Sequence, residues 1–270
     1  MRIPRLHLFE LEDQAWFPAF LRDLFTDYLR FIEDHFALHR PAVPLVAEAL
    51  RLSRVDEIVD LCSGGGGPIV KLLESLAAKN LFPRVTLTDR FPNQMAFTRA
   101  AAKSHGHISF RADAVNAMEV PAELRGLRTM FNSFHHFRPG DAQRTLRSAA
   151  RAGQPIGIFE VSDRRWPVLL SMVLLAPLMV AIATPFIRPF QWRRLFWTYV
   201  IPLVPLTAWW DGIVSNLRAY SAAELERLAA NVNAPDYVWQ SGQVPIDSIP
   251  GKLTYLLGIP KNGPFTERTG

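Results

Sequence analysis

Apolar and polar positions along the chain follow two periods, one typical of buried strands and one typical of helices. Short apolar runs rich in Val, Ile, Leu and Phe predict the strands 57–62, 84–89, 108–113, 127–133, 155–162, 237–244 and 252–258. Helical spacing between and around these runs predicts the helices 14–37, 43–52, 68–79, 93–104, 140–152 and 221–232. This alternation predicts an α/β fold with a doubly wound, mostly parallel, seven-stranded sheet that has helices on both faces.

One segment interrupts the alternation of strands and helices. Residues 166–217 are almost entirely apolar and aromatic, and they precede the last two predicted strands. We therefore expect four segments: an N-terminal helical cap at 1–53, an α/β core at 54–165, this apolar helical insertion, and a C-terminal helix and strands at 218–270 that complete the sheet.

Composition excludes several classes of protein. With 49% apolar residues in 270, the chain can bury a full core, and its net charge of +5 comes from scattered basic residues rather than from a basic tail for nucleic acid. A single cysteine, Cys62, excludes an internal disulfide and points to a reducing compartment. The charged N-terminus has no apolar core of a signal peptide, so we expect a cytoplasmic protein.

The stretch DLCSGGGGP, which begins at Asp60, is the strongest local signal. A strand that leads through a glycine turn into a helix N-terminus is typical of a site for a nucleotide-like ligand. The dinucleotide fingerprint needs a third glycine where this chain has Ile69, which disfavours a nicotinamide-dependent oxidoreductase. The phosphate-binding P-loop is excluded because no Gly-Lys-Ser/Thr follows the turn.

Polar residues also follow the next three predicted strands. Asp89 ends the second, Asp113 with Ala114 ends the third, and the segment NSFHHF, which begins at Asn132, follows the fourth. Each position has a plain structural alternative. The acids could cap helices or lie in solvent, the histidines could do the same, and Cys62 could be a packed small residue.

In these motifs, over about residues 55–165, the chain resembles the class I S-adenosylmethionine-dependent methyltransferases. Cys62 stands where the family has its first glycine. The resemblance implies S-adenosyl-L-methionine as cofactor, with an acid at position 89 on the ribose hydroxyls, residues 113–114 near the adenine and Asn132 beneath the methionine part. The implied cofactor-binding residues are Asp60, Cys62, Ser63, Gly64, Gly66, Asp89, Arg90, Asp113, Ala114 and Asn132.

Methyl transfer needs a base only when the acceptor atom starts protonated, and histidine suits that task because its ordinary pKa lies near neutrality. His135 and His136 are therefore the candidate catalytic residues. Family members that methylate nucleic-acid bases carry Asn/Asp-Pro-Pro-Tyr where this chain has Asn132-Ser133-Phe134-His135, so we expect no nucleic-acid partner. The histidines and Cys62 show no metal-ligand spacing, and no metal is expected.

Within the insertion, residues 167–187 carry no charge, and as a helix they would be about 31 Å long, enough to cross a bilayer. The second apolar run, 195–210, is shorter, and Arg188, Arg193 and Arg194 lie between the two runs. A spanning hairpin would place these arginines on the far side, against the usual orientation rule. A hairpin in the membrane interface and a lid over the site both avoid this difficulty, and the three alternatives stay open.

The sequence thus predicts a methyltransferase that acts on a lipophilic small molecule or a lipid, either free in the cytoplasm or peripheral to the inner face of the membrane. We expect the insertion to form a helical hairpin beside the methyl-bearing end of the cofactor. The alternative is a non-catalytic cofactor-binding or scaffold protein with a methyltransferase-like fold, also membrane-associated. The acceptor, the atom methylated and the oligomeric state stay open.

Overall fold

The computed structural model describes residues 3–261, which form two compact units. The helical unit contains residues 3–35 and 162–220, and the sheet unit contains residues 36–161 and 221–261. Contacts therefore group residues 3–35 with the apolar insertion.

The four-segment division expected from the sequence stays a prediction. Its outermost residues, 1–2 and 262–270, lie outside the described part of the chain.

The sheet unit is built on one seven-stranded sheet. Its strands are β1 (Glu57–Asp60), β2 (Arg84–Leu87), β3 (Ile108–Phe110), β4 (Leu127–Phe131), β5 (Ile156–Glu160), β6 (Tyr237–Ile246) and β7 (Gly251–Pro260). They lie in the order β3-β2-β1-β4-β5-β7-β6; β1 to β5 are parallel, and β7 is antiparallel to both of its neighbours. This order confirms the doubly wound α/β fold, and it brings the carboxyl ends of β1 to β5 to one edge of the sheet.

Helices connect the strands of the sheet unit and are numbered along the whole chain. They are α2 (Ala42–Ser53), α3 (Ile69–Ala77), α4 (Gln94–Lys103), α5 (Pro139–Arg151) and α9 (Ala222–Ala230). Local chemistry sets several of their starts. The Asn93 side chain accepts a hydrogen bond from the Ala96 N–H at the start of α4, and Ser221 with Glu224 forms a complete capping box at the start of α9.

The first five strands end two or three residues before the predicted ends. β1 ends at Asp60 and β4 at Phe131 because the backbone turns directly afterwards, with positive φ at Cys62 and Asn132. β3 is only three residues long. The early strand ends leave Cys62, Asp89, Asp113 and Asn132 in loops at the carboxyl edge of the sheet.

The helical unit contains α1 (Ala19–His35), α6 (Trp166–Ala183), α7 (Trp192–Leu195) and α8 (Leu203–Arg218). Helices α6 and α8 run antiparallel. The Trp209 indole donates to the Val173 carbonyl at 3.2 Å, and the Asp163 N–H donates to Asn216 Oδ1 at 2.8 Å. The helical insertion expected before the last two strands is therefore present.

Helix α1 packs on the hairpin of α6 and α8 through one apolar cluster. The buried members of that cluster are Phe17, Leu21, Leu24, Phe25, Tyr28, Val180, Ala183, Ile187, Val204 and Ala208. A buried ion pair joins Asp27 of α1 to Arg194 at 2.7 Å, and Arg194 Nη1 also donates to the carbonyls of Ile187 and Pro189. These contacts hold the bend of the hairpin against α1.

In the described part of the chain, one helical stretch is long and apolar enough to cross a membrane. It runs from Trp166 to Phe186, and only 28% of its most apolar window is buried. The stretch meets this criterion by its length and composition only. Whether it spans a membrane therefore has to be judged from its contacts.

Gly126, just before β4, tests the packing of the sheet. Its φ is +122°, and an added Cβ would lie 2.4 Å from the Glu57 carbonyl oxygen, so Gly126→Ala should lower the free energy of unfolding by roughly 3 kcal/mol or more. Gly140 of α5 has open space around it and is the matched control, because Gly140→Ala should be neutral or slightly stabilising. Denaturant titration measures both, and equal stabilities would contradict this description of the β1–β4 junction.

Candidate functional site

The carboxyl group of Asp60 ties together the first strand, the glycine turn and the fourth strand. Asp60 is buried, Oδ2 accepts from the Ser63 hydroxyl at 2.7 Å, and Oδ1 accepts from the Thr129 hydroxyl at 2.7 Å. The Thr88 N–H and hydroxyl both donate to the Asp60 carbonyl at 2.9 Å, which adds the end of β2. One buried acid therefore sets the relative positions of three strand ends.

Burial raises the pKa of Asp60 from 3.8 to about 7, and the two hydroxyl hydrogen bonds only partly oppose that rise. The nearby charge of Asp89 raises the pKa further. Because the folded protein holds this proton more tightly than the unfolded chain, the contribution of Asp60 to stability is largest below about pH 4. It declines as the pH rises toward 7.

The glycine turn connects β1 to α3 with unusual backbone angles. Cys62 has a φ of +58°, a left-handed conformation in which a residue with a Cβ is strained. Glycine adopts this conformation without strain, so the backbone at Cys62 is the one that suits the glycine of the related motif. Gly66, with a φ of +94°, lies against α4, where an added Cβ would be 3.6 Å from the Ala100 Cβ.

Asp89 anchors the turn from the end of β2. Its Oδ2 accepts from the Gly64 N–H at 2.7 Å, and its Oδ1 accepts from the Phe91 N–H at 2.7 Å. A carboxylate has about four acceptor positions, so each oxygen keeps one for hydroxyl groups of a ligand. An added Cβ on Gly64 would meet no atom within 4 Å, so the space in front of this backbone is open.

The remaining candidates on this side are more exposed. The side chain of Asp113 is 87% exposed and lies 4.0 Å from Arg111, and Ala114 is also exposed. The Val115 N–H donates to the Asp89 carbonyl at 2.8 Å, which places this loop beside Asp89. Arg90 is exposed, and its guanidinium lies over the Phe91 ring.

Asn132 joins the ends of β4 and β5. Its Oδ1 accepts from the Val161 N–H at 2.8 Å, and its own N–H donates to the Phe159 carbonyl at 2.8 Å. Its φ of +47° is one that asparagine tolerates better than most residues. These bonds turn the chain out of β4 and lead directly into the short helical turn Phe134–His136.

His135 forms a buried pair with Glu160, the last residue of β5. His135 Nδ1 and Glu160 Oε2 are 2.6 Å apart, and Glu160 Oε1 accepts from the Phe134 N–H at 2.7 Å. Burial alone would raise the pKa of Glu160, but the His135 charge and these hydrogen bonds outweigh burial and hold that pKa below its usual value. The carboxylate is therefore ionised and accepts from Nδ1–H, which leaves Nε2 as the ring nitrogen that does not contact Glu160.

His136 differs from its neighbour. It is only half-buried, and its ring stacks on that of His135 with centroids 4.4 Å apart. Geometry thus separates two histidines that the sequence left equivalent, because Glu160 orients His135.

Sequence reasoning missed two residues of this site, Thr129 and Glu160. Glu160 carried the same signal as Asp60 and Asp89, an acid at the end of an apolar strand, so the pattern could have found it. Thr129 lies inside β4, and nothing in its sequence context marks it as a partner of Asp60.

No protein-family model and no curated protein matches the sequence. Similar solved structures include the methyltransferase domain of bacterial CtHen1, 13% identical, with a TM-score of 0.49 and coverage of 82% of this chain and 99% of that chain. The S-adenosylmethionine-dependent methyltransferase SibL in its apo form is 15% identical, with a TM-score of 0.48 and coverage of 85% and 58%.

A third similar structure is the O-methyltransferase NcsB1 from neocarzinostatin biosynthesis, in complex with S-adenosylmethionine and 2-hydroxy-5-methyl naphthoic acid. It is 15% identical, with a TM-score of 0.43 and coverage of 79% of this chain and 55% of that chain. The chain thus spans little more than half the length of SibL and NcsB1. These likenesses concern the fold alone. The strand order and the antiparallel β7 are those of the class I methyltransferase fold, so the resemblance seen in the sequence is confirmed for the fold.

The raised pKa of Asp60 gives a test of the site. Asp60→Asn keeps an acceptor for Thr129 but removes the titrating group, so the decline of stability between about pH 4 and 7 should lessen by up to about 1.4 kcal/mol per pH unit. Denaturant unfolding at several pH values measures the slope. Asp113→Asn, at an exposed carboxylate, is the control and should leave the slope unchanged. Equal slopes in wild type and Asp60→Asn would contradict a raised pKa of the buried Asp60.

Proposed function

We propose that the protein is an S-adenosylmethionine-dependent methyltransferase. The observation that carries this proposal is the edge of the sheet where Asp89 holds the Gly64 N–H and keeps acceptor positions for a ligand. On the same edge, β4 and β5 end in a buried histidine–carboxylate pair. A ligand-binding turn and an oriented base are the two parts that methylation of a protonated acceptor requires.

The residues present fit this cofactor. Asp89 would accept from the ribose hydroxyls, the open backbone at Gly64 would lie against the amino-acid end, and Asn132 would line the methionine side. Asp113 and Ala114, beside Asp89, would face the adenine. When bound, S-adenosylmethionine supplies an electrophilic methyl group on a sulfonium, and the protein contributes orientation and exclusion of water.

His135 is the base in this proposal. Glu160 holds the ring through Nδ1 and stabilises the imidazolium that forms when Nε2 takes a proton from an acceptor hydroxyl or amine. The proton leaves the acceptor and stays on His135 until solvent removes it. In this proposal His136, whose ring stacks on that of His135, supports the turn.

We further propose that the acceptor is a lipophilic small molecule or a lipid. The support is the helical unit, which places a long apolar hairpin in the same chain as the site and leaves much of it exposed. An enzyme for such an acceptor would work in the cytoplasm, at the inner face of the membrane.

A non-catalytic cofactor-binding scaffold is the alternative. It would bind S-adenosylmethionine but would not need the His135–Glu160 pair, because a buried carboxylate and its partner contribute little net stability to a fold. Radiolabelled methyl transfer to a lipid extract separates the two functions, because the scaffold would bind the cofactor and transfer nothing.

A substitution of Asp89 tests which cofactor the protein binds. Asp89→Ala should weaken S-adenosylmethionine binding by about 1–3 kcal/mol, because hydrogen bonds to a charged group are lost and the Gly64 backbone is released. Calorimetry measures this change, with Asp247→Ala in the exposed β6–β7 loop as control. Tight NAD binding without S-adenosylmethionine binding would end the proposal.

The catalytic pair makes a separate prediction. His135→Ala should lower the transfer rate about 10²–10⁴-fold and keep cofactor affinity, since the base does not hold the cofactor. Glu160→Gln should also lower the rate and should alter its pH dependence, because the imidazolium loses its counter-charge. His136→Ala is the control. Full activity in both His135→Ala and Glu160→Gln would show that orientation alone drives the reaction.

A further inference from the structure

Helix α6 is packed along one narrow side only. At 100° per residue, its buried positions, Leu169, Ala176, Val180 and Ala183, cover about 60° of the circumference. Its exposed large apolar side chains, which begin at Trp166 and end at Ile182, cover about 200°. A surface helix of a soluble protein has its apolar side chains on the buried side, whereas most of the large apolar side chains of α6 lie on its exposed side.

Large apolar side chains are also exposed in the bend that follows α6 and near the start of α8. We call the exposed apolar side chains of α6, the bend and α8 together the apolar face. Its members are Trp166, Leu170, Val173, Leu174, Leu175, Leu178, Ile182, Phe186, Phe190, Trp192, Phe196, Tyr199, Val200, Ile201 and Leu206. Half-exposed aromatic side chains present roughly 100 Å² each, so the aromatic members alone match the largest apolar patch of about 300–600 Å² on a typical monomer.

The charged residues near the apolar face favour an anionic partner. No Asp or Glu occurs between Asp163 and Asp211, whereas Arg188 and Arg193 are exposed at the bend, beside the most exposed aromatic, Trp192 at 77%. Tryptophan and arginine together suit the headgroup level of a bilayer, where both are partly wet. A second copy of the chain is disfavoured as occupant, because pairing two such faces would bring arginines together without acids.

Contacts of the hairpin argue against a spanning helix. The bend is held by the buried Asp27–Arg194 pair, and Asp27 lies in the middle of α1. If α6 crossed the bilayer, α1 would have to enter it with the bend. Helix α1 carries further charges at Arg22, Asp23 and Arg30, which are expensive in hydrocarbon.

We propose that the apolar face binds the interface of an anionic membrane, with α6 lying along the surface and the bilayer not crossed. The inference rests on the membrane part of the proposed function and does not depend on methyl transfer. Exposed leucines of α6 enter the boundary of the acyl chains, Trp166 and Trp192 lie at headgroup level, and Arg188 and Arg193 contact lipid phosphates.

Co-sedimentation of the full chain with sucrose-loaded vesicles tests the proposal. We expect binding to vesicles of phosphatidylcholine with phosphatidylglycerol and much weaker binding to phosphatidylcholine alone. Leu174→Glu/Leu178→Glu should lower the partition coefficient at least tenfold. The matched control is Leu52→Glu/Phe82→Glu, at 60% and 61% exposed apolar positions of the sheet unit, and it should bind like wild type.

The arginines give a second, independent measurement. Arg188→Gln and Arg193→Gln should each weaken binding to anionic vesicles about fivefold, and added salt should remove that difference. If circular dichroism shows that the double glutamate variant does not fold, the single variant Trp192→Ser takes its place. We expect this variant to bind vesicles less and to show a smaller blue shift of tryptophan fluorescence when vesicles are added. Wild-type binding in all of these variants overturns the proposal.

Three further outcomes also overturn it. Protein that stays in vesicles after alkaline carbonate extraction spans the bilayer. Concentration-dependent dimers that the glutamate pair abolishes would assign the face to a second copy. If the protein binds vesicles of neither composition, the membrane is excluded as the partner of the apolar face. Calorimetry of S-adenosylmethionine on the same samples keeps this test distinct from the methyltransferase proposal, because the leucine variants should bind the cofactor as wild type does.

Discussion

The buried carboxyl group of Asp60 is the group on which the geometry of the candidate site depends. An acid in this position is stable only because Ser63 and Thr129 satisfy its oxygens, and those two hydroxyls come from the glycine turn and from the adjacent strand. The same contacts therefore hold the turn at a fixed height above the sheet. Gly64 can then reach Asp89, so the backbone of the candidate site is fixed by contacts within the protein.

Three acids at strand ends illustrate how one sequence pattern serves different tasks. Asp60 is buried and turned inward to organise the protein, Asp89 is half-buried and keeps acceptor positions for a ligand, and Glu160 is buried and orients a histidine. The difference lies in their partners. Asp60 accepts from two hydroxyls, Asp89 accepts from two backbone N–H groups, and Glu160 contacts an imidazole. Position at the carboxyl edge of a parallel sheet gives all three access to the same region.

Much of the fold could be predicted because its signals are local. Apolar runs marked the strands, the capping box at Ser221 marked α9, and the glycine turn marked the junction of β1 and α3. Strand ends were predicted too late because the positive φ angles at Cys62 and Asn132 depend on contacts distant in sequence. For the same reason, spacing could not separate His135 from His136, and nothing in α1 announced that Asp27 would pair with Arg194.

The composition of the helical unit from two separate parts of the chain has a consequence for protein synthesis. Helix α1 is made first, and its packing partner α6 begins only about 130 residues later, which takes roughly 6–26 s at about 5–20 residues per second; α8 follows α6. During that interval Leu21, Leu24 and Phe25 have no place to be buried within their own unit. Until the hairpin has emerged from the ribosome, the apolar side of α1 therefore stays without the partners that bury it in the folded protein.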